Sequence, residues 1–160
     1  KKAVDFSSGY YDVSQTVITV KGSKIAVAKS IADLKGAKLG AQVGTTSYAT
    51  ITDVIQPTEE VAVFDTNDVA KQALANGQID GLVVDLPTAF YITAVDLENG
   101  LIVGQFPAQA GGEQFGLVLS KGSKLTKDVT AAVDALRANG TLAKIADAWL
   151  ASTVGAPVLK

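Results

Sequence analysis

Short apolar runs alternate with segments in which apolar side chains recur every three or four positions, and this rhythm organises the middle of the chain. Thr16-Val17-Ile18-Thr19-Val20 is a β-branched run closed by Lys21-Gly22, which predicts a strand. Ser30 to Gly36 predicts one or two helical turns, capped by Ser30 and stopped by Gly36. Then come a strand over 38–43, a helix over 46–55 and a strand over 61–64. Thr66-Asn67-Asp68 opens the next helix, with Val69, Ala70, Ala73 and Leu74 on one face and Gly77 just past its end. Gly81-Leu82-Val83-Val84 is apolar without alternation, the pattern of a strand covered on both faces. It ends at Asp85. Leu86-Pro87 starts a helix to about Ala94, and 101–106 is a further strand. The N-terminal stretch Lys1 to Ser7 is too short and polar to predict an element of its own, and Gly9-Tyr10-Tyr11-Asp12 reads as punctuation.

Short strands alternating with helices imply βαβ units, hence an α/β domain with a mostly parallel sheet. After Gly111-Gly112 the character shifts. A strand over 114–119 is followed by helices over 126–139 and 141–150. Their apolar positions, Val129, Ala132, Val133 and Leu136, then Leu142, Ile145, Ala146 and Trp149, call for a packing surface not visible between 24 and 112. The strands at 16–20 and 114–119 each end in a Lys-Gly-Ser turn and bracket the α/β block. Such a pair either carries the chain twice between two lobes, as a hinge, or forms two edges of one sheet.

Two stretches carry candidate chemistry. In Lys38 to Ser47, a buried strand meets Gly44 and then Thr45-Thr46-Ser47, hydroxyls placed where a helix N-cap belongs. A helix entrance of this kind turns unpaired N–H groups and partial positive charge toward a small anion. No lysine follows the glycine turn and a single glycine is present, so neither a P-loop nor a dinucleotide fingerprint fits. A carboxylate is the better occupant; the plain alternative is that the hydroxyls only cap the helix. Asp85 closes the central strand, and ligands of open α/β sheets collect at the carboxyl ends of strands. Gly44-Thr45-Thr46 would receive the carboxylate and Asp85 the ammonium of a zwitterionic α-amino acid. Asp85 reads equally as an N-cap ahead of Leu86-Pro87, and the two roles are compatible.

Composition narrows the chemistry by subtraction. In 160 residues there is no cysteine and no histidine. Thiol catalysis, a Ser-His-Asp triad and His- or Cys-ligated zinc are therefore excluded. Net charge is −2 with both signs interspersed, which argues against a nucleic-acid partner. No apolar run approaches the ~18–20 residues of a membrane span. The chain begins Lys-Lys, so removal of a targeting segment together with more of the protein is an expectation.

Several segments stand in a recognisable order: Lys2-Ala3-Val4-Asp5-Phe6-Ser7 before Tyr10-Tyr11, Ile31-Ala32-Asp33-Leu34-Lys35-Gly36, Leu39 to Thr46, Ala73-Leu74-Ala75-Asn76-Gly77-Gln78-Ile79-Asp80-Gly81, Val83-Val84-Asp85-Leu86-Pro87, Phe115-Gly116-Leu117-Val118, and Asn139-Gly140-Thr141 with Trp149. Together they resemble the polar amino-acid solute-binding proteins of ABC importers, solute-binding protein family 3. The resemblance implies an α/β fold of the type II periplasmic-binding-protein kind. It divides the chain into 1–23 (end of lobe one and first hinge strand), 24–112 (a complete lobe two with a mostly parallel sheet) and 113–160 (second hinge strand and C-terminal helices of an incomplete lobe one). It implies that an Arg-bearing segment and the ligand's aromatic sandwich precede Lys1. Thr46 would bind the ligand carboxylate, with Thr45 and Gly44 forming the turn, Asp85 would bind the ammonium, and Gln42 would touch the ligand. Gly9 departs from the family's usual proline. The implied function is extracytoplasmic binding of a polar amino acid between two lobes, in the periplasm or lipid-anchored at the outer face of the membrane, without enzymatic activity or cofactor; as a fragment lacking half the contacts, the chain is expected to bind weakly alone. Implied partners are the importer's membrane subunits, and the missing half of lobe one or a domain-swapped second copy. The alternatives are a cyclohexadienyl dehydratase-like enzyme on the same scaffold and a receptor's ligand-sensing domain.

Overall fold

A computed structural model describes residues 3–107, 112–151 and 156–160. Along the chain lie β1 (Val4–Asp12), β2 (Gln15–Val20), a 3-10 turn (Ala32–Leu34), β3 (Leu39–Gln42), α1 (Thr46–Ala49) running into a π-helical stretch (Thr50–Ile55), and β4 (Ala62–Phe64). Then follow α2 (Asn67–Ala75), β5 (Gly81–Asp85), α3 (Leu86–Tyr91) with a π-helical extension (Ile92–Asp96), β6 (Gly100–Gln105), β7 (Gln114–Ser120), α4 (Thr126–Ala138) and α5 (Thr141–Ala146), the last extended by Asp147–Ala151. The chain forms two compact units, Lys1–Val13 with Gln109–Gly155, and Ser14–Ala108 with Ala156–Lys160. Expectations attached to Lys1, Lys2 and Gly111 lie outside the described residues.

The larger unit is a five-stranded sheet in the order β4-β3-β5-β2-β6. β3 runs parallel to β4 and β5, whereas β2 is antiparallel to both β5 and β6. The period-two rule sorts its side chains onto two cores. Val17, Leu39, Ala41, Val83 and Val103 face one side with Ile51 and Ile55 from the helix after β3. Ile18, Leu82 and Val84 face the other with Ala70, Ala73 and Leu74 of α2 and Ala89 of α3. Both faces are covered, which is why Leu82-Val83-Val84 has no polar alternation.

Three features of the fold depart from what the local pattern predicts. β2 does not flank the α/β block; it is one of the block's inner strands, paired on both sides. Its neighbours in space come from residues 81–105, which no local pattern announces. Secondly, β1 occupies the stretch read as featureless. Its pairing with β7 shifts register around Gly9, and these irregularities break the alternation that would have betrayed it. Lastly, the C-terminal residues join the larger unit. Val158 bridges Gln105 in parallel, the amide of Leu159 donates to the Gln105 carbonyl at 2.9 Å, and the Leu159 side chain is buried in the first core.

The smaller unit pairs β1 with β7 antiparallel, with α4 packed on β1. Phe115 packs between Tyr10 and Tyr11, with ring centroids 6.3 and 5.9 Å away. Lys121 holds Asp5 at 2.6 Å, and the Arg137 guanidinium donates to the Gly9 carbonyl. Among the described residues of this unit Val133 is the one buried apolar side chain, while Leu136, Ile145 and Trp149 are exposed.

Candidate functional site

The carboxyl ends of the parallel strands β3 and β5 share one edge of the larger sheet with the start of antiparallel β2. The register places Gln15, first residue of β2, directly opposite Asp85, last residue of β5. At the end of β3 the chain turns through Gly44, whose φ of +69° lies in the left-handed region that favours glycine. α1 then starts at this edge, so its first N–H groups, which have no intrahelical acceptor, are gathered there.

The two hydroxyls of the turn divide the work. Thr45 is the N-cap: its Oγ1 accepts from the Tyr48 amide at 3.3 Å and donates to the Gln42 carbonyl at 2.7 Å. Thr46, one residue on, reaches across to the neighbouring strands. Its Oγ1 accepts a hydrogen bond from Gln15 Nε2 at 3.3 Å. The same Nε2 donates to Asp85 Oδ1 at 3.5 Å. One amide nitrogen therefore touches both the Thr46 hydroxyl and the Asp85 carboxylate. The two groups lie no farther apart than those two hydrogen bonds laid end to end.

Asp85 stands at the N-cap position of α3, with φ −62° and ψ 151°, yet its side chain caps no backbone amide. Oδ2 instead accepts from the Thr88 hydroxyl at 3.1 Å. Both described donors to this carboxylate are neutral, and among the described residues Asp85 takes part in no ion pair. The edge thus pairs an uncancelled negative charge with a helix entrance, a few ångströms apart. That arrangement suits a small ligand carrying both signs of charge.

Over residues 1–152 the chain matches the family model of bacterial extracellular solute-binding proteins, family 3. The chain belongs to that family. It is 33% identical over 94% of its length to the ABC transporter glutamine-binding protein GlnH of Bacillus subtilis, spanning 53% of that protein. It is 31% identical to the L-arginine-binding protein of Pseudomonas aeruginosa, over 96% of this chain and 61% of that one. Among solved structures it is similar to an ancestral arginine-binding protein bound to arginine, with a TM-score of 0.70, 32% identity, and coverage of 94% of this chain and 66% of that one. The fold is that of the type II periplasmic binding proteins. This family 3 chain spans roughly half to two thirds of the length of these relatives.

Of the residues named from sequence in this family 3 chain, the structure gathers Thr46, Asp85 and the Gly44-Thr45 turn at one edge. Gln42 closes β3 at the same edge, and its Nε2 donates to the Asp65 carbonyl at 3.1 Å. Sequence reasoning missed Gln15 and Ser47. Gln15 is 7% exposed, Ser47 is 5% exposed, and the Ser47 hydroxyl donates to Gln15 Oε1 at 2.7 Å. A glutamine opening a β-branched strand was the available signal, but its meaning depends on which strand lies beside it.

Proposed function

We propose that this family 3 chain binds a zwitterionic amino acid at the edge formed by β2, β3 and β5, as the ligand-binding component of an importer. The Thr46 hydroxyl and the first amides of α1 take the ligand carboxylate, and Asp85 takes its ammonium. The observation that carries this reading is the Asp85 carboxylate, whose donors among the described residues are neutral, beside the Thr46 hydroxyl. Thr45 and Gly44 shape the turn rather than recognise the ligand through side chains. The relatives are named for glutamine and for arginine, so the side-chain preference here is left to experiment. Location outside the cytoplasm and delivery to membrane subunits of an ABC importer complete the proposal; no described helix is long and apolar enough to cross a membrane.

Affinity follows from the contacts. Hydrogen bonds to charged groups contribute about 1.5–3 kcal/mol each. Two of them bracket the ~4 kcal/mol of a millimolar complex. NMR titration of the 160-residue chain with a panel of amino acids checks this: Thr46 and Asp85 resonances shift with millimolar midpoints for at least one ligand. No shift with any amino acid would refute the site, and micromolar binding would refute the contact inventory. Prephenate or arogenate turnover in the same samples would favour the enzymatic alternative.

The exposed Phe6, Leu117, Val118, Ile145 and Trp149 of the smaller unit support a further proposal. This surface is covered by additional polypeptide, either a segment making up the relatives' greater length or a second copy of the chain. Light scattering that finds a stable, isolated monomer counts against it.

A further inference from the structure

We propose that Gln15 is the positioning residue of the ligand site, holding the Thr46 hydroxyl and the Asp85 carboxylate at the separation a single amino acid spans. The inference rests on the ligand reading above. Three elements meet at this side chain. Its backbone belongs to β2, where Gln15 faces Asp85 across the antiparallel ladder and its carbonyl accepts from the Phe106 amide at 2.9 Å. Its Oε1 accepts from Ser47 of α1 at 2.7 Å, a short bond between two groups that water scarcely reaches. Its Nε2 then spans Thr46 and Asp85. The amide orientation is dictated by chemistry. An ionised carboxylate only accepts, so the NH2 end must face Asp85 and the carbonyl end must face Ser47.

A glutamine amide beside Asp85 could instead act as an internal competitor for the ligand ammonium. The distances decide against that. At 3.5 Å the bond to Oδ1 sits at the outer limit for a hydrogen bond and opposes a charged ligand only weakly. The 2.7 Å bond to Ser47 anchors the amide on the side away from the carboxylate. Gln15 is thus a fixed post. Being neutral at every pH, it orients Asp85 without cancelling its charge, which a lysine or arginine at the same place would do. Its reach from β2 to α1 also ties the helix entrance to the strand tip, so the two ends of the ligand find their partners already in register.

The test compares the whole wild-type chain with Gln15→Met, which keeps length and removes both polar ends, and Ser47→Ala, which releases the anchor while leaving every proposed ligand contact in place. Amino-acid affinity is read by NMR titration and stability by urea unfolding. The expected result is weakening by about tenfold for Gln15→Met and a smaller loss for Ser47→Ala, each exceeding what the change in folded fraction explains. Affinities within twofold of wild type in the folded variants, with stability alone reduced, would make Gln15 a structural residue and overturn the proposal. Tighter binding would make it a competitor and overturn it equally. If Gln15→Met does not fold, Ser47→Ala decides by the same criteria. Absence of any response at Thr46 and Asp85 in the wild type overturns the ligand reading and this inference with it, an outcome distinct from variants that bind as the wild type does.

Discussion

Replacing Leu159 by alanine tests whether one buried side chain holds the C-terminal segment onto the sheet. Leu159 is 1% exposed and packs in the core with Val17, Val103 and Phe106. Removing its three apolar carbons forfeits about 2.4 kcal/mol of transfer free energy at ~0.8 per methylene. A residual cavity raises the usual range to about 2–5 kcal/mol. The backbone bonds of the segment, Gln105 amide to Pro157 carbonyl at 2.8 Å, Leu159 amide to Gln105 carbonyl at 2.9 Å and Ile31 amide to Lys160 carbonyl at 3.0 Å, contribute about 1 kcal/mol each. Ordering each residue costs about as much or more. Those terms roughly offset one another, so Leu159 decides whether the segment docks. Leu159→Ala should therefore release the segment, with a loss of about 2–3 kcal/mol rather than the cavity maximum. Gly104 supplies the check. A Cβ there would meet Leu159 Cγ and the Pro157 carbonyl oxygen, each at 2.8 Å, so Gly104→Ala is costly while the segment is docked and nearly free once it has gone. Urea unfolding of both single variants and the double variant, with hydrogen exchange at the backbone amide of position 159, reads the coupling. Additive costs, or a Leu159→Ala loss below about 1 kcal/mol, would refute the reasoning.

Asp85→Asn keeps an acceptor for Thr88 and Gln15 but removes the charge; amino-acid-induced NMR shifts should vanish while the urea midpoint moves little. Thr45→Ala removes the cap of α1 and should cost about 1 kcal/mol of stability, with ligand affinity changed only as far as α1 frays; a loss as complete as that of Asp85→Asn would assign its hydroxyl to the ligand. Thr16 is fully buried in β2 and its hydroxyl has no partner among the described residues. Thr16→Val should thus be neutral or stabilising by up to about 1 kcal/mol, and a loss of that size would reveal a missed partner. Backbone amides of Lys29 and Ser30 donating to Asp33, first that of Lys29, hold its pKa below the ordinary 3.8. The folded state therefore binds this proton less readily than the unfolded one. The resulting stability is complete above pH 3.8 and is lost as pH falls through the lowered value. Asp33→Asn should flatten that part of the acid-unfolding curve; an unchanged acid limb would refute the assignment.

Local chemistry determined much of this protein. Gly44 followed by Thr45-Thr46-Ser47 specifies a turn and a helix start, and Thr66 caps α2 as its sequence position requires. Leu82-Val83-Val84 announces a strand covered on both faces before either cover is known. The α/β class and the placing of Thr46 and Asp85 at strand ends follow from such signals, since periodicity and capping act within one element. Tertiary structure alone decided what crosses between elements. It made β2 an inner antiparallel strand, drew β1 across to β7 through register shifts at Gly9, and laid Leu159 into a core assembled from residues 17 to 106. Above all it set Gln15 opposite Asp85 and within reach of Ser47. Pairing between distant strands is chosen by the burial of whole faces and the closure of the chain between them. A side chain that bridges three elements has no meaning until that choice is made.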